Sequence, residues 1–111
     1  MNWIALTEMR QLDKIAADSH TKDIIIFKHS TTCPISMAAR MRLESPWTID
    51  TDQLDFYFLD LLKFRSISNA IATKFSVHHE SPQIVIVRNG EAIYDNSHLD
   101  ISISDTEDVL T

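Results

Sequence analysis

The chain reads as a single α/β domain over residues 1–111, with a central four-stranded mixed sheet flanked by helices. Short β-branched runs alternate with stretches whose apolar residues recur at helical spacing, the rhythm of parallel strands joined by right-handed crossovers. The last two runs are joined by Asn89-Gly90, the strongest short hairpin signal, so one strand pair is antiparallel and the sheet is mixed. At 111 residues and 44% hydrophobic content, one core can form without staples, and two domains would not fit.

Thr7 is placed to cap a first helix running to about Ser19, with Met9, Leu12, Ile15 and Ala16 on one apolar face. Asp23-Ile24-Ile25-Ile26-Phe27-Lys28 follows as a strand buried on both sides. A second helix, Pro34 to about Glu44, carries Ile35, Ala38 and Ala39 on one side with Met37 and Met41 nearby, a pattern that reads as core. Ser45-Pro46 stops it, and the polar loop through Gln53 holds Trp47 and several acids without a recognisable motif. Residues 54–59 form the second strand, and Ser66 to Phe75 a third helix with Ile67, Ile71 and Phe75 facing the sheet. Gln83–Arg88 and Glu91–Tyr94 are the hairpin strands. Ser104-x-x-Glu107 reads as a capping box opening a short last helix. Gly90 is the only glycine, so helix ends must use other residues.

Ten Lys and Arg against sixteen Asp and Glu leave a net charge of −6, which argues against a nucleic-acid partner whose phosphates must be neutralised. No run approaches the roughly 20 apolar residues of a membrane span, and the first residues lack a signal peptide's basic start and apolar core. A single cysteine excludes a disulfide framework and an intramolecular dithiol cycle, and a reducing cytoplasm is the expected setting. Five histidines suggest metal, but no pair has i, i+4 spacing and one thiolate is an incomplete zinc set, so no metal is expected. His78 and His79 read as a solvated loop before the third strand.

Chemistry is placed at Cys33, where the first strand hands over to a helix. Pro34 fits the first helical position, which makes Cys33 the N-cap. There its sulfur is expected to accept from the N–H groups of Ile35 and Ser36 and to feel the positive end of the helix, both favouring thiolate. The Ser36 hydroxyl is a further candidate donor to the sulfur, and no acid occurs from Lys28 to Arg42.

Thr32-Cys33-Pro34-Ile35-Ser36 resembles the TCPIS motif of the monothiol bacilliredoxins, within the thioredoxin-like superfamily. Lys28-His29-Ser30, Ser68-Asn69-Ala70-Ile71-Ala72, His79-Glu80-Ser81-Pro82-Gln83, Asn89-Gly90 and Ser97-His98 match that family in order, so the likeness runs from about residue 23 to residue 104. The resemblance implies a thioredoxin-like fold and a cytoplasmic thiol-disulfide oxidoreductase with Cys33 as nucleophile. It implies that Thr32, Pro34, Ser36, Ser81 and Pro82 contact substrate, Pro82 following a cis bond, and that His98 belongs to the site; His29, near the end of the first strand, is placed either to tune the field around Cys33 or to satisfy the core hydrogen bonding there. It further implies bacillithiol as co-substrate with no tightly bound cofactor. The partners would be S-bacillithiolated client proteins and a recycling reductase. Lys28 and Arg40 are candidate cations for the carboxylates of bacillithiol. The rival readings are a reductase for another small thiol such as glutathione, an iron-sulfur carrier, and a non-catalytic thioredoxin-like module. The carrier reading is disfavoured by Pro34-Ile35 inside the motif and by the single glycine.

Overall fold

A computed structural model describes residues 2–110. Nine elements follow one another as β1 (Trp3–Ala5), α1 (Arg10–Asp18), β2 (Asp23–His29), α2 (Pro34–Leu43), β3 (Leu54–Asp60), α3 (Arg65–Lys74), β4 (Gln83–Arg88), β5 (Glu91–Ser97) and α4 (Ile103–Leu110). Short 3-10 turns precede β3 at Thr51–Gln53 and follow β5 at His98–Asp100. The sheet order is β1-β3-β2-β4-β5, with β1, β3 and β2 parallel and β4 and β5 antiparallel to their neighbours. The sheet therefore has five strands where four were expected. The extra strand is three residues long, too short for a period-two pattern to register, and it is held by pairing with Phe56, Tyr57 and Phe58.

β2 lies at the centre, and Ile24, Ile25, Ile26 and Phe27 are all fully buried. Each such side chain contributes about 2 kcal/mol by leaving water, so this strand is the spine of both core layers. On one face Ile24, Ile26, Tyr57, Leu59, Val85 and Val87 pack with Leu12 and Ile15 of α1 and Ile67, Ile71 and Phe75 of α3. On the other, Ile25, Phe27, Phe56, Ile84 and Ile86 pack with Ala39 and Leu43 of α2 and with Ile101 ahead of α4.

Local chemistry departs from expectation at the starts of two helices and in the rotation of a third. Thr7 does not cap α1: the Gln11 side chain accepts from the N–H groups of Thr7 (2.8 Å) and Glu8 (2.9 Å) and donates to the Ala5 carbonyl. α4 is capped by Ser102, whose hydroxyl accepts from the Asp105 N–H, and not by Ser104. Glu107 turns instead to Thr48 and Ile49; burial alone would raise its pKa, but these hydrogen bonds hold the carboxylate below its ordinary range. The third departure is the rotation of α2. Its sheet-facing side is Ser36, Ala39 and Leu43, leaving Ile35 and Ala38 exposed, with Met37 at 53% and Met41 at 72% exposure. Small residues at 36 and 39 let the helix lie close to β2, and the methionines ride outside.

Ser76 ends α3 in the left-handed region (φ 54°), and the Val77 N–H donates to the Ala72 carbonyl, closing a Schellman turn without glycine. Asn89 (φ 53°) and Gly90 (φ 77°) make the β4–β5 hairpin turn, whose N–H groups dock on Ser19 at the end of α1.

Candidate functional site

The register pairs His29 with Asp60, Lys28 with Gln83 and Gln83 with Ser97. Thus the carboxyl ends of β2, β3 and β5 and the amino end of β4 share one edge of the sheet. The chain leaves β2 there through Ser30, Thr31 and Thr32, with the Cys33 N–H donating to the Ser30 carbonyl at 3.2 Å. Cys33 has extended backbone (φ −103°, ψ 117°), Pro34 is the first helical residue, and the Met37 N–H closes the first helical bond onto the Cys33 carbonyl. Cys33 is the N-cap and half-buried. Its side chain makes no capping hydrogen bond, contrary to the expectation that Ile35 and Ser36 N–H groups hold the sulfur. What remains is position: the positive end of α2, no acid in its first turn, and Arg40 and Arg42 in its last.

Ser36 does not donate to the sulfur either. Fully buried, its hydroxyl oxygen accepts from the Ser30 N–H at 2.9 Å and lies 2.7 Å from His29 Nδ1. This short contact, with the Ser30 N–H as the hydroxyl's second partner, locks the His29 ring to the start of α2. Burial lowers the His29 pKa, and the nearby Arg40 lowers it further, so the ring is neutral at pH 7. His29 and Ser36 together form a rigid floor beneath the start of α2. Arg40 stands over the Phe58 ring at 4.7 Å from its centroid and reaches Glu44 at 3.4 Å.

Across the shared edge, the Ser81-Pro82 bond is cis. Pro82 is buried, and its carbonyl accepts from the His98 N–H at 3.0 Å. The His98 carbonyl in turn accepts from Arg42 of α2 at 3.3 Å, so Arg42 and His98 link the cysteine-bearing helix to the proline loop. His98 acts there through its backbone, in the left-handed region at φ 55°, while its ring faces Glu80 at 3.6 Å. Thr32 is exposed, with its hydroxyl 3.4 Å from Ser30 Oγ.

Lys28 is no surface cation. It is fully buried, its amine donating to the Ser68 carbonyl (3.2 Å) and to His79 Nδ1 (3.2 Å), so it cannot reach a ligand carboxylate. Burial lowers its pKa from 10.5 to about 8, which still leaves it protonated at neutral pH. His78 is solvated, but His79 is not the free loop residue expected: its Nδ1 also meets Ser68 Oγ at 3.3 Å. One signal for this pair was available, a charged residue at an inward position of a strand otherwise apolar on that face. Among the described residues, no three His, Cys, Asp or Glu side chains converge as a metal site, and no helix is long and apolar enough to cross a membrane.

The family described as monothiol bacilliredoxin BrxC matches residues 4–106. The chain belongs to the monothiol bacilliredoxin family. A solved thioredoxin-fold structure, described as a proposed oxidoreductase, is 32% identical over 95% of this chain and 90% of its own, with a TM-score of 0.81. More distant likenesses include Fasciola hepatica thioredoxin (15% identity, 96% and 94% coverage, TM-score 0.71). Malassezia sympodialis thioredoxin is similar at 17% identity, 98% and 88% coverage and a TM-score of 0.73. At those identities the thioredoxins establish the fold alone. A thioredoxin fold and membership of the bacilliredoxins make the chain a thiol oxidoreductase, with one sulfur available for the chemistry.

Proposed function

We propose that the chain removes bacillithiol from S-bacillithiolated proteins by thiol-disulfide exchange at Cys33. The Cys33 thiolate attacks the bacillithiol sulfur of the mixed disulfide; a new S–S bond forms between Cys33 and bacillithiol, and the client leaves as its thiolate. A second thiolate, from free bacillithiol or a recycling reductase, then attacks the bacillithiol sulfur on Cys33 and releases the enzyme thiolate. No electrons are gained or lost by the enzyme over the cycle, and no tightly bound cofactor is required.

The observation that carries this reading is the lone half-buried cysteine at the head of α2 in a bacilliredoxin chain. Placing it at the positive helix end favours the negative charge that sulfur carries as nucleophile and as leaving group. Ser36 occupies the position of a second motif cysteine, but its hydroxyl is buried against His29. With no internal thiol to expel the adduct, the mixed disulfide must be resolved from outside. Ser81 and Pro82 are assigned to the substrate platform, with Thr32 and Pro34 at its rim. Arg40, half-exposed on α2 where it reaches Glu44, is the cation assigned to the carboxylates of bacillithiol.

The test is release of bacillithiol from a purified S-bacillithiolated protein, with intact mass of the enzyme recorded in parallel. The wild type is expected to acquire one bacillithiol and to clear it when more thiol is added, and Cys33→Ser to do neither. Undiminished release by Cys33→Ser would remove the proposal. Parallel substrates carrying glutathione or coenzyme A separate bacillithiol from other small thiols.

A further inference from the structure

The segment between α3 and β4 carries Ser81 and Pro82, yet residues 78–80 have little apolar surface to hold them down: His78 and His79 are exposed and Glu80 is half-buried. What ties this segment to the sheet is polar. Val77 is bound to the end of α3 and Pro82 to the His98 N–H; between them the buried Gln83 side chain donates to the His78 carbonyl at 2.9 Å, and His79 Nδ1 meets the Lys28 amine and the Ser68 hydroxyl. Lys28 and Ser68 are both fully buried. Among the described residues no carboxylate pairs with this ammonium, so its hydrogen bonds to His79 and to the Ser68 carbonyl are what offset its burial.

We propose that Lys28 is a positioning residue for the exchange reaction: its buried amine, with Ser68, clasps His79 and so holds residues 78–81 in the arrangement that presents Ser81 to a disulfide substrate, and the clasp opens when His79 takes up a proton. The role in catalysis rests on the exchange reaction proposed above; the clasp itself does not.

The chemistry of opening follows from the donor count. An ammonium has hydrogens and no lone pair, so it can meet His79 only while Nδ1 is an unprotonated acceptor. A proton on Nδ1 removes that acceptor and sets two positive charges at the present 3.2 Å separation, one of them on the fully buried Lys28, which the pair cannot hold. The charged groups acting on His79 are Lys28, His78 and Arg65, which oppose its protonation, and Glu80, which favours it; burial and Lys28 are the larger influences, and the His79 pKa lies below the ordinary histidine value. The clasp is therefore closed at neutral pH and opens on acidification below that value.

Two substitutions separate this from a merely structural role. In His79→Asn the amide oxygen can stand where Nδ1 stands, accepting from Lys28 but unable to take a proton in this range. His79→Ala has no acceptor. The protection of the residue 78–81 amides, taken as intrinsic over observed exchange rate at the same pH, is expected to fall in the wild type as pH drops from 7.5 to 5.5. It is expected to stay high in His79→Asn and to be low at every pH in His79→Ala.

The KM for a mixed-disulfide substrate, taken as the ratio of variant to wild type at each pH so that Cys33 cancels, should follow the same order with kcat little changed. His79→Ala is expected to raise it about tenfold at pH 7.5, the equivalent of one hydrogen bond to a charged group. Protection in residues 78–81 that ignores both pH and His79→Ala overturns the clasp. Exchange that responds while KM does not overturns its role in positioning. Failure of the wild type to turn over any mixed disulfide, with the exchange response intact, sinks the proposed reaction and leaves the clasp standing.

Discussion

At the carboxyl end of β2, neighbouring residues send buried basic side chains to opposite faces of the sheet, and they are satisfied in unlike ways. His29 faces α2, is neutral, and is paired through Nδ1 with the Ser36 hydroxyl. Lys28 faces α3, keeps its proton, and shares it with a carbonyl and an imidazole. A neutral ring can be a fixed support, because it brings no charge for its surroundings to offset. A buried cation cannot; its surroundings must supply acceptors, and one of these is itself titratable. The face under the nucleophile is therefore built to stay as it is, and the face under the proline loop is built to respond.

The sharpest break in this contrast is Lys28→Met. Because the folded pKa of Lys28 is depressed from 10.5 to about 8, the unfolded chain holds the proton more tightly. Wild-type stability should rise with pH between those values, by about 3 kcal/mol if the whole shift is expressed. Lys28→Met lacks that rise, so its advantage is greatest below pH 8 and shrinks toward pH 10.5. Urea denaturation at pH 7, 8.5 and 10 measures it, and parallel pH profiles for the two proteins would erase the distinction drawn here. A smaller effect is expected from Ser36→Ala. It strands the Ser30 N–H and His29 Nδ1 in the interior and should cost about 1–3 kcal/mol at neutral pH, read as a lower urea midpoint. The smallest belongs to a pair outside both faces. Lys74→Ala removes the exposed contact to Asp13 and should change stability by under about 1 kcal/mol.

How far the sequence foretold all this varied with the kind of signal. Periodicity located β2, β3, β4 and α3 because burial alone decides them, and Asn89-Gly90 placed the hairpin because few residues tolerate two successive positive φ angles. Ser76, which ends α3 in the left-handed region, was legible only through the resemblance and not from periodicity. Helix starts were read less well. Side chains such as Gln11 and Ser102 took the capping roles offered to Thr7 and Ser104, choices that depend on where neighbouring strands deliver the backbone. The rotation of α2 was missed because Met37 and Met41 match a helical apolar stripe equally well whether it faces in or out. In the site, the cysteine's place at the strand-to-helix junction was legible from Cys33-Pro34 alone. The partners of Ser36, Lys28 and His79 were not, because they lie 6 to 51 residues apart along the chain and meet only in the folded structure.

The short strand β1 has a bearing on the life of the protein in a crowded solution. It covers the outer side of β3, whose Leu-Asp-Phe-Tyr-Phe-Leu-Asp run is rich in strongly β-forming residues and would otherwise show a row of open N–H and C=O groups. Three paired residues, with the Leu6 N–H extending the ladder to the Phe58 carbonyl, replace that long sticky border with a brief one. Fraying of β1 would offer β3 to another copy of the chain and invite self-association into fibres, so this small element does the work of a solubility tag.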